Sequence, residues 1–184
     1  MSRLTAVFAL MLWCLSATAQ EPCFFQKCYG SGTVLLYNVP NLAGTLEVAA
    51  RNIICPADVL LDDPLAGKLT FRTVTLVSAV FPPIAPVTVV MNDVDKYAML
   101  APSIATFSGP AAVSIGFSRR WIRGTLEVTI ADRRDPTDAL GPSIMQFDTV
   151  KMVFTPDTSP LPYLLEWEGI MWKGDLIVFE RWGR

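Results

Sequence analysis

Short runs of alternating apolar and polar residues fill most of the chain, separated by Gly, Pro, Asn and Asp, and no long stretch keeps helical periodicity. One five-residue pattern recurs four times, as Gly44-Thr45-Leu46-Glu47-Val48, Gly67-Lys68-Leu69-Thr70-Phe71, Gly124-Thr125-Leu126-Glu127-Val128 and Gly174-Asp175-Leu176-Ile177-Val178. Glycine lets the chain turn, and apolar residues two apart give one face to a core, so each copy is expected to mark the start of a strand. The copies at Gly44 and Gly124 match best and lie far apart, as equivalent strands of two related halves would.

Further strands are expected over Val34–Tyr37, Val87–Met91, Gln146–Thr155 and Tyr163–Trp167, with the longest at Lys68–Phe81, stopped by Pro82-Pro83. Pro86 confines Val87–Met91 to a sheet edge, because proline cannot donate to a ladder. Val113, Ile115 and Phe117 alternate with polar or small residues, and a bend at Arg119–Trp121 would return the chain through Ile122–Ala131 with Ile122, Leu126, Val128 and Ile130 inward. Asp175–Trp182 is the expected last strand. Helical turns are expected within Cys55–Asp63, over Lys96–Leu100 after the capping residues Asn92–Asp95, and at Asp135-Pro136. The fold class is therefore all-β and mainly antiparallel: a β-sandwich of eight or nine strands, or alternatively a small closed β-barrel.

Residues 1–19 read as a cleaved secretory signal: Arg3 gives the charge, Leu4–Leu15 is apolar, and Ala17-Thr18-Ala19 supplies small residues for cleavage. Residues 20–184 then form a single domain, secreted or periplasmic, with no transmembrane segment left after cleavage. Only 17 % of the residues are charged, below the roughly 25 % of an average soluble protein, and the net charge is −2 with both signs scattered. That gives no footprint for nucleic acid; it leaves room for a protein or glycan partner, or for a homo-oligomer. Cys23, Cys28 and Cys55 remain after cleavage, and in an oxidising compartment two of the three are expected to pair, with the connectivity open.

There is no histidine, which excludes a Ser-His-Asp or Cys-His machine within this chain. Glu166 and Glu168 flank Trp167 and would share one face of a strand, an arrangement that glycoside hydrolysis can use, although solvated glutamates explain them as well. Asp132, Asp135 and Asp138 lie three apart in a loop and could hold Ca²⁺, but Arg133 and Arg134 compete for them and turn formation accounts for them without a metal. No cofactor is expected otherwise. Trp121 between Arg120 and Arg123 is the aromatic expected to be exposed, and Trp167 and Trp172 are further candidates for a stacking or partner-binding surface. The leading expectation is a non-catalytic binding or assembly module. A carboxylate-dependent glycan-active enzyme and a barrel enclosing an apolar ligand are the alternatives.

Overall fold

Nine strands follow one another in the computed structural model, which describes residues 22–38, 42–57, 59, 61, 63–75, 86–116, 120–133, 147–158 and 165–183. They are β1 (Phe24–Leu36), β2 (Leu42–Ile54), β3 (Leu65–Thr75), β4 (Val87–Met91), β5 (Lys96–Ala101), β6 (Ile104–Ile115), β7 (Ile122–Ala131), β8 (Thr149–Pro156) and β9 (Leu165–Trp182). Every pairing is antiparallel. The sheet runs β4-β3-β2-β1-β9-β8-β7-β6-β5, and β4 also pairs with β6 through Val89↔Val113 and its neighbours. That pairing closes the sheet into a barrel of eight strand positions. β4 and β5 share one position, because β4 lies along Ala111–Ile115 of β6 and β5 along Ile104–Ser108.

Alternation decides what fills the barrel. Leu46, Val48 and Ala50 on β2, Leu69 and Phe71 on β3, Phe107 on β6, Leu126, Val128 and Ile130 on β7, and Val150, Met152 and Phe154 on β8 all point inward and are buried. Their neighbours in sequence face outward, as period-two side chains must. The interior is thus a packed core, with Trp167 beside Phe71 at 6.1 Å between ring centroids.

The repeated glycines serve packing more than strand initiation. β2, β3 and β7 each begin two residues before their glycine, and in β9 the glycine lies well inside the strand. A Cβ on Gly44 would stand 2.3 Å from the Phe71 ring, and one on Gly124 would stand 2.7 Å from the Phe154 ring. In each case the ring belongs to the residue paired with the leucine two positions on, Leu46↔Phe71 and Leu126↔Phe154. The best-matched copies therefore occupy equivalent environments, in strand positions on opposite sides of the barrel. Gly174 alone of the four has a positive φ, 107°, where a side chain would be strained.

The equivalence extends to the fourth strand of each half. After buried Met91 the chain breaks at Asn92–Asp95; β4 had paired with both β3 and β6, whereas β5 pairs only with β6. After buried Met171, β9 loses β8 and keeps only β1, and Trp172 bulges out between the residues paired with Thr33 and Val34. Asp148 holds that bulge: its carbonyl accepts the Met171 N–H at 2.8 Å, and its carboxylate accepts the N–H groups of Leu176 at 2.9 Å and Arg133 at 3.1 Å. Asp132 takes the Val178 N–H at 3.2 Å. Two carboxylates thus stand in for the ladder that β8 no longer supplies.

Several expectations need correction. Lys96–Leu100 is strand β5, not a helix, since the free edge of β6 offers it a ladder while Tyr97 and Met99 turn toward the core. Val87–Met91 is not an edge: Pro86 precedes the ladder, and its carbonyl accepts the Gly116 N–H at 2.6 Å. The described part of Cys55–Asp63 holds a turn, Val59 N–H to the Pro56 carbonyl, and no helix. Leu165–Trp167, the described part of Tyr163–Trp167, and Asp175–Trp182 belong to one strand, β9. The leader, the Asp135-Pro136 turn, Phe117 and the Arg119 end of the bend lie outside the described residues. Among those described, no helix is long and apolar enough to cross a membrane.

Candidate functional site

The break after Met91 shapes the outer wall of the barrel. Ser108 C=O on β6 and the N–H of Gly116 just after its end both face the β4–β5 position, so the alternation of the backbone turns the missing N–H of Pro110 toward the break, where no ladder bond is forfeited. Gly109 lets the broken strand approach, since a Cβ there would meet the Asp93 carbonyl at 2.2 Å. The Asp93 carboxylate accepts the Val94 N–H at 2.8 Å, and Val94 plugs the interior against Gly67. Asn92 and Asp93 remain on the outside, exposed.

A groove of about 650 Å³ opens there, with Val90, Pro110 and Ala112 as its apolar floor and Trp121, Arg123 and Asp157 along β7 and the end of β8. Trp121 is 50 % exposed. The Asp157 N–H donates to the Arg123 carbonyl at 3.0 Å, which ties the two polar walls together. An indole, a guanidinium, two carboxylates and a carboxamide around a shallow apolar floor can stack on a flat ring and exchange hydrogen bonds with hydroxyls. Arg120 is exposed just before Trp121 and does not line this groove.

The other candidates fall elsewhere. Trp167 is 4 % exposed and belongs to the core, because β9 turns its odd-numbered residues inward before the bulge. Trp172 sits outside at the bulge, 5.9 Å from Phe147. Glu166 and Glu168 share the outer wall, where Lys151 pairs with Glu166 and the Tyr37 hydroxyl meets Glu168. That contact and, first, desolvation push the Tyr37 phenol up to about 12. The bond to Glu166 likewise raises Lys151 above the usual lysine range. Asp132 is committed to the Val178 amide, while Asp135 and Asp138 lie outside the described residues.

Cys23 pairs with Cys55, and Cys28 is free and buried. Burial pushes the Cys28 thiol up to about 12, opposed in part by hydrogen bonds from Tyr97 and the Ala50 backbone. Tyr97 is itself raised above the usual phenol range by burial and by Cys28. Both groups therefore stay neutral and serve the core.

Sequence reasoning singled out Trp121 and Arg123 but not Asn92, Pro110 or Asp157, which reach the groove through the strand break and long-range pairing. Compared with known proteins, the chain matches no family model, no curated protein and no solved structure.

Proposed function

We propose that this chain is an exported, non-catalytic binding module that holds a glycan against the outer wall of its barrel, in the groove of Trp121 and Arg123. The observation that carries the reading is the half-exposed indole in a concave site with Arg123, Asp157 and Asn92, on a barrel whose inside is taken up by its own side chains. A sugar ring offers an apolar face to the indole and hydroxyls to the polar walls. The Cys23–Cys55 bridge and the leader-like first residues support export.

Affinity electrophoresis of the mature chain through gels containing neutral or acidic polysaccharides tests this. The native protein is retarded by at least one of them, and Trp121→Ala migrates freely while keeping the native circular-dichroism spectrum. Equal mobility of the two proteins in every gel refutes the reading.

A further inference from the structure

Two depressions flank the strand break, and Asn92 lines both. In the second, of about 450 Å³, Ala49 of β2 and Ala66 of β3 form a low floor among Lys27, Arg51 and Lys68, but Asp63 answers Arg51 at 3.9 Å and Glu47 answers Lys68 at 3.6 Å. The Trp121 groove differs: among the described residues, Arg123, Asp93 and Asp157 form no ion pair with one another or with any other side chain. Apart from the Asp93 oxygen that takes the Val94 N–H, their side chains are left to a ligand. We infer that the sugar held there is an N-acetylated amino sugar whose acetamido group rests on the groove floor, an inference that rests on the glycan reading of this groove.

Register sets the floor and its two flanks. Val90 pairs with Ala112 and Ala112 with Arg123, so the apolar side chains of β4 and β6 stand directly beside the guanidinium. The Asp157 N–H on the Arg123 carbonyl puts the first carboxylate next in the same row. On the other flank, Asn92 and Asp93 follow Val90 across buried Met91. Each flank thus offers one donor, Arg123 or Asn92, and one carboxylate acceptor, Asp157 or Asp93. A trans amide points its N–H and C=O in opposite directions, and its methyl away from the ring that bears it. With the methyl on Val90, Pro110 and Ala112, both polar groups of the amide find a partner, and the ring is left to the Trp121 indole. A plain hydroxyl at that position leaves the apolar floor uncovered. One guanidinium against two carboxylates gives no attraction for an acidic sugar, and the acetamido group is uncharged.

Calorimetry of the mature protein with the trimers of chitin and cellulose, which share ring and linkage and differ in the acetamido group, tests the proposal. N-acetylgalactosamine and galactose serve as a second matched pair. The acetylated member is expected to bind about tenfold tighter, the worth of one buried methyl and one net hydrogen bond. The de-N-acetylated chitin trimer, which carries ammonium groups, is expected to bind no tighter than the cellulose trimer. Val90→Thr keeps the shape of the floor but makes it polar, and should cut the preference to about threefold or less while affinity for the cellulose trimer holds. Trp121→Ala weakens both members of a pair alike. Equal, Trp121-dependent affinity within each pair overturns the acetamido group and leaves the groove reading standing. Tighter binding of the de-N-acetylated trimer also overturns it, since the carboxylates are then answering an ammonium. A preference that Val90→Thr leaves intact overturns the seat on the floor. If neither pair binds, the acetamido inference falls, and retardation in the polysaccharide gels decides the groove reading separately.

Discussion

Replacing Asp148 by alanine is the sharpest test of how the barrel closes. Its side chain is 1 % exposed and its carboxylate holds two backbone N–H groups, those of Leu176 at 2.9 Å and Arg133 at 3.1 Å. Hydrogen bonds to a charged group contribute about 1.5–3 kcal/mol each, so the gross loss is about 3–6 kcal/mol. Removing a buried charge also removes its desolvation cost, which offsets part of that loss. A net destabilisation of about 2–4 kcal/mol follows, set against a typical total of about 5–15 kcal/mol. At this chain length that lowers Tm by roughly 5–15 °C.

Urea unfolding followed by tryptophan emission measures the loss, and amide exchange localises it. The Leu176 N–H should exchange faster than the global loss of stability alone requires, because its acceptor is gone while the β1 side of the ladder stays paired. Trp172, extruded at the bulge beside Phe147, should shift its emission in the folded state. A loss below about 0.5 kcal/mol, in the range of ordinary surface changes, with Leu176 exchange unaltered would refute the view that this carboxylate replaces the missing ladder.

Reduction of Cys23–Cys55, which spans 32 residues, should cost about 3–4 kcal/mol by loop entropy, read as the urea midpoint with and without reductant. The Cys28 thiol, raised from 9.0 to about 12 by folding, stabilises fully below pH 9 and loses that contribution as pH climbs through 12. Unfolding free energy should therefore fall by up to about 1.4 kcal/mol per pH unit above pH 9, and Cys28→Ala should flatten the slope between pH 9 and the onset of tyrosine ionisation; an unchanged slope contradicts the assignment. Gly44→Ala should cost about 1–3 kcal/mol by overpacking the Phe71 ring, and Phe71→Leu in the same chain should recover part of it, so additive losses in a double-mutant cycle would rule the packing account out.

The all-β class and the inward faces of β7 and β8 were legible because alternation is a local property: Leu126, Val128 and Ile130, and Val150, Met152 and Phe154, face the core as their spacing requires. β1 was legible only at its end. Gly30 and Gly32 lie inside Phe24–Leu36, where a Cβ at Gly30 would meet the Asp175 carbonyl at 2.1 Å, so β9 needs the space they leave. Lys96–Leu100 carries good helix formers behind an aspartate, and only the non-local edge of β6 makes it a strand. The same reason hid Asp148, since nothing near it in sequence announces an amide more than twenty residues away. Trp121 and Arg123 were found because they adjoin; Asn92 and Asp157 join them only after β4, β6, β7 and β8 have paired.

The two halves meet one geometric problem with different solutions, and the candidate site follows from that difference. In each half the fourth strand leaves the third after a buried methionine, Met91 or Met171, and uncovers part of an edge. On β9 the edge is sealed by Asp148 and Asp132, which spend their carboxylates on backbone amides and hold the bulge in place. At the first break the seal is apolar: Val94 fills the inside against Gly67, and Asn92 and Asp93 are left facing outward. A polar segment that does not complete a ladder leaves the wall thin on both flanks, and both depressions flank Asn92 for that reason. With the interior closed by packing, the outer wall at this break is where concavity and the half-exposed Trp121 indole coincide. A substitution that restored the ladder there would therefore be expected to raise stability and erase binding together, the pairing of effects that separates a site built by the fold from one merely resting on it.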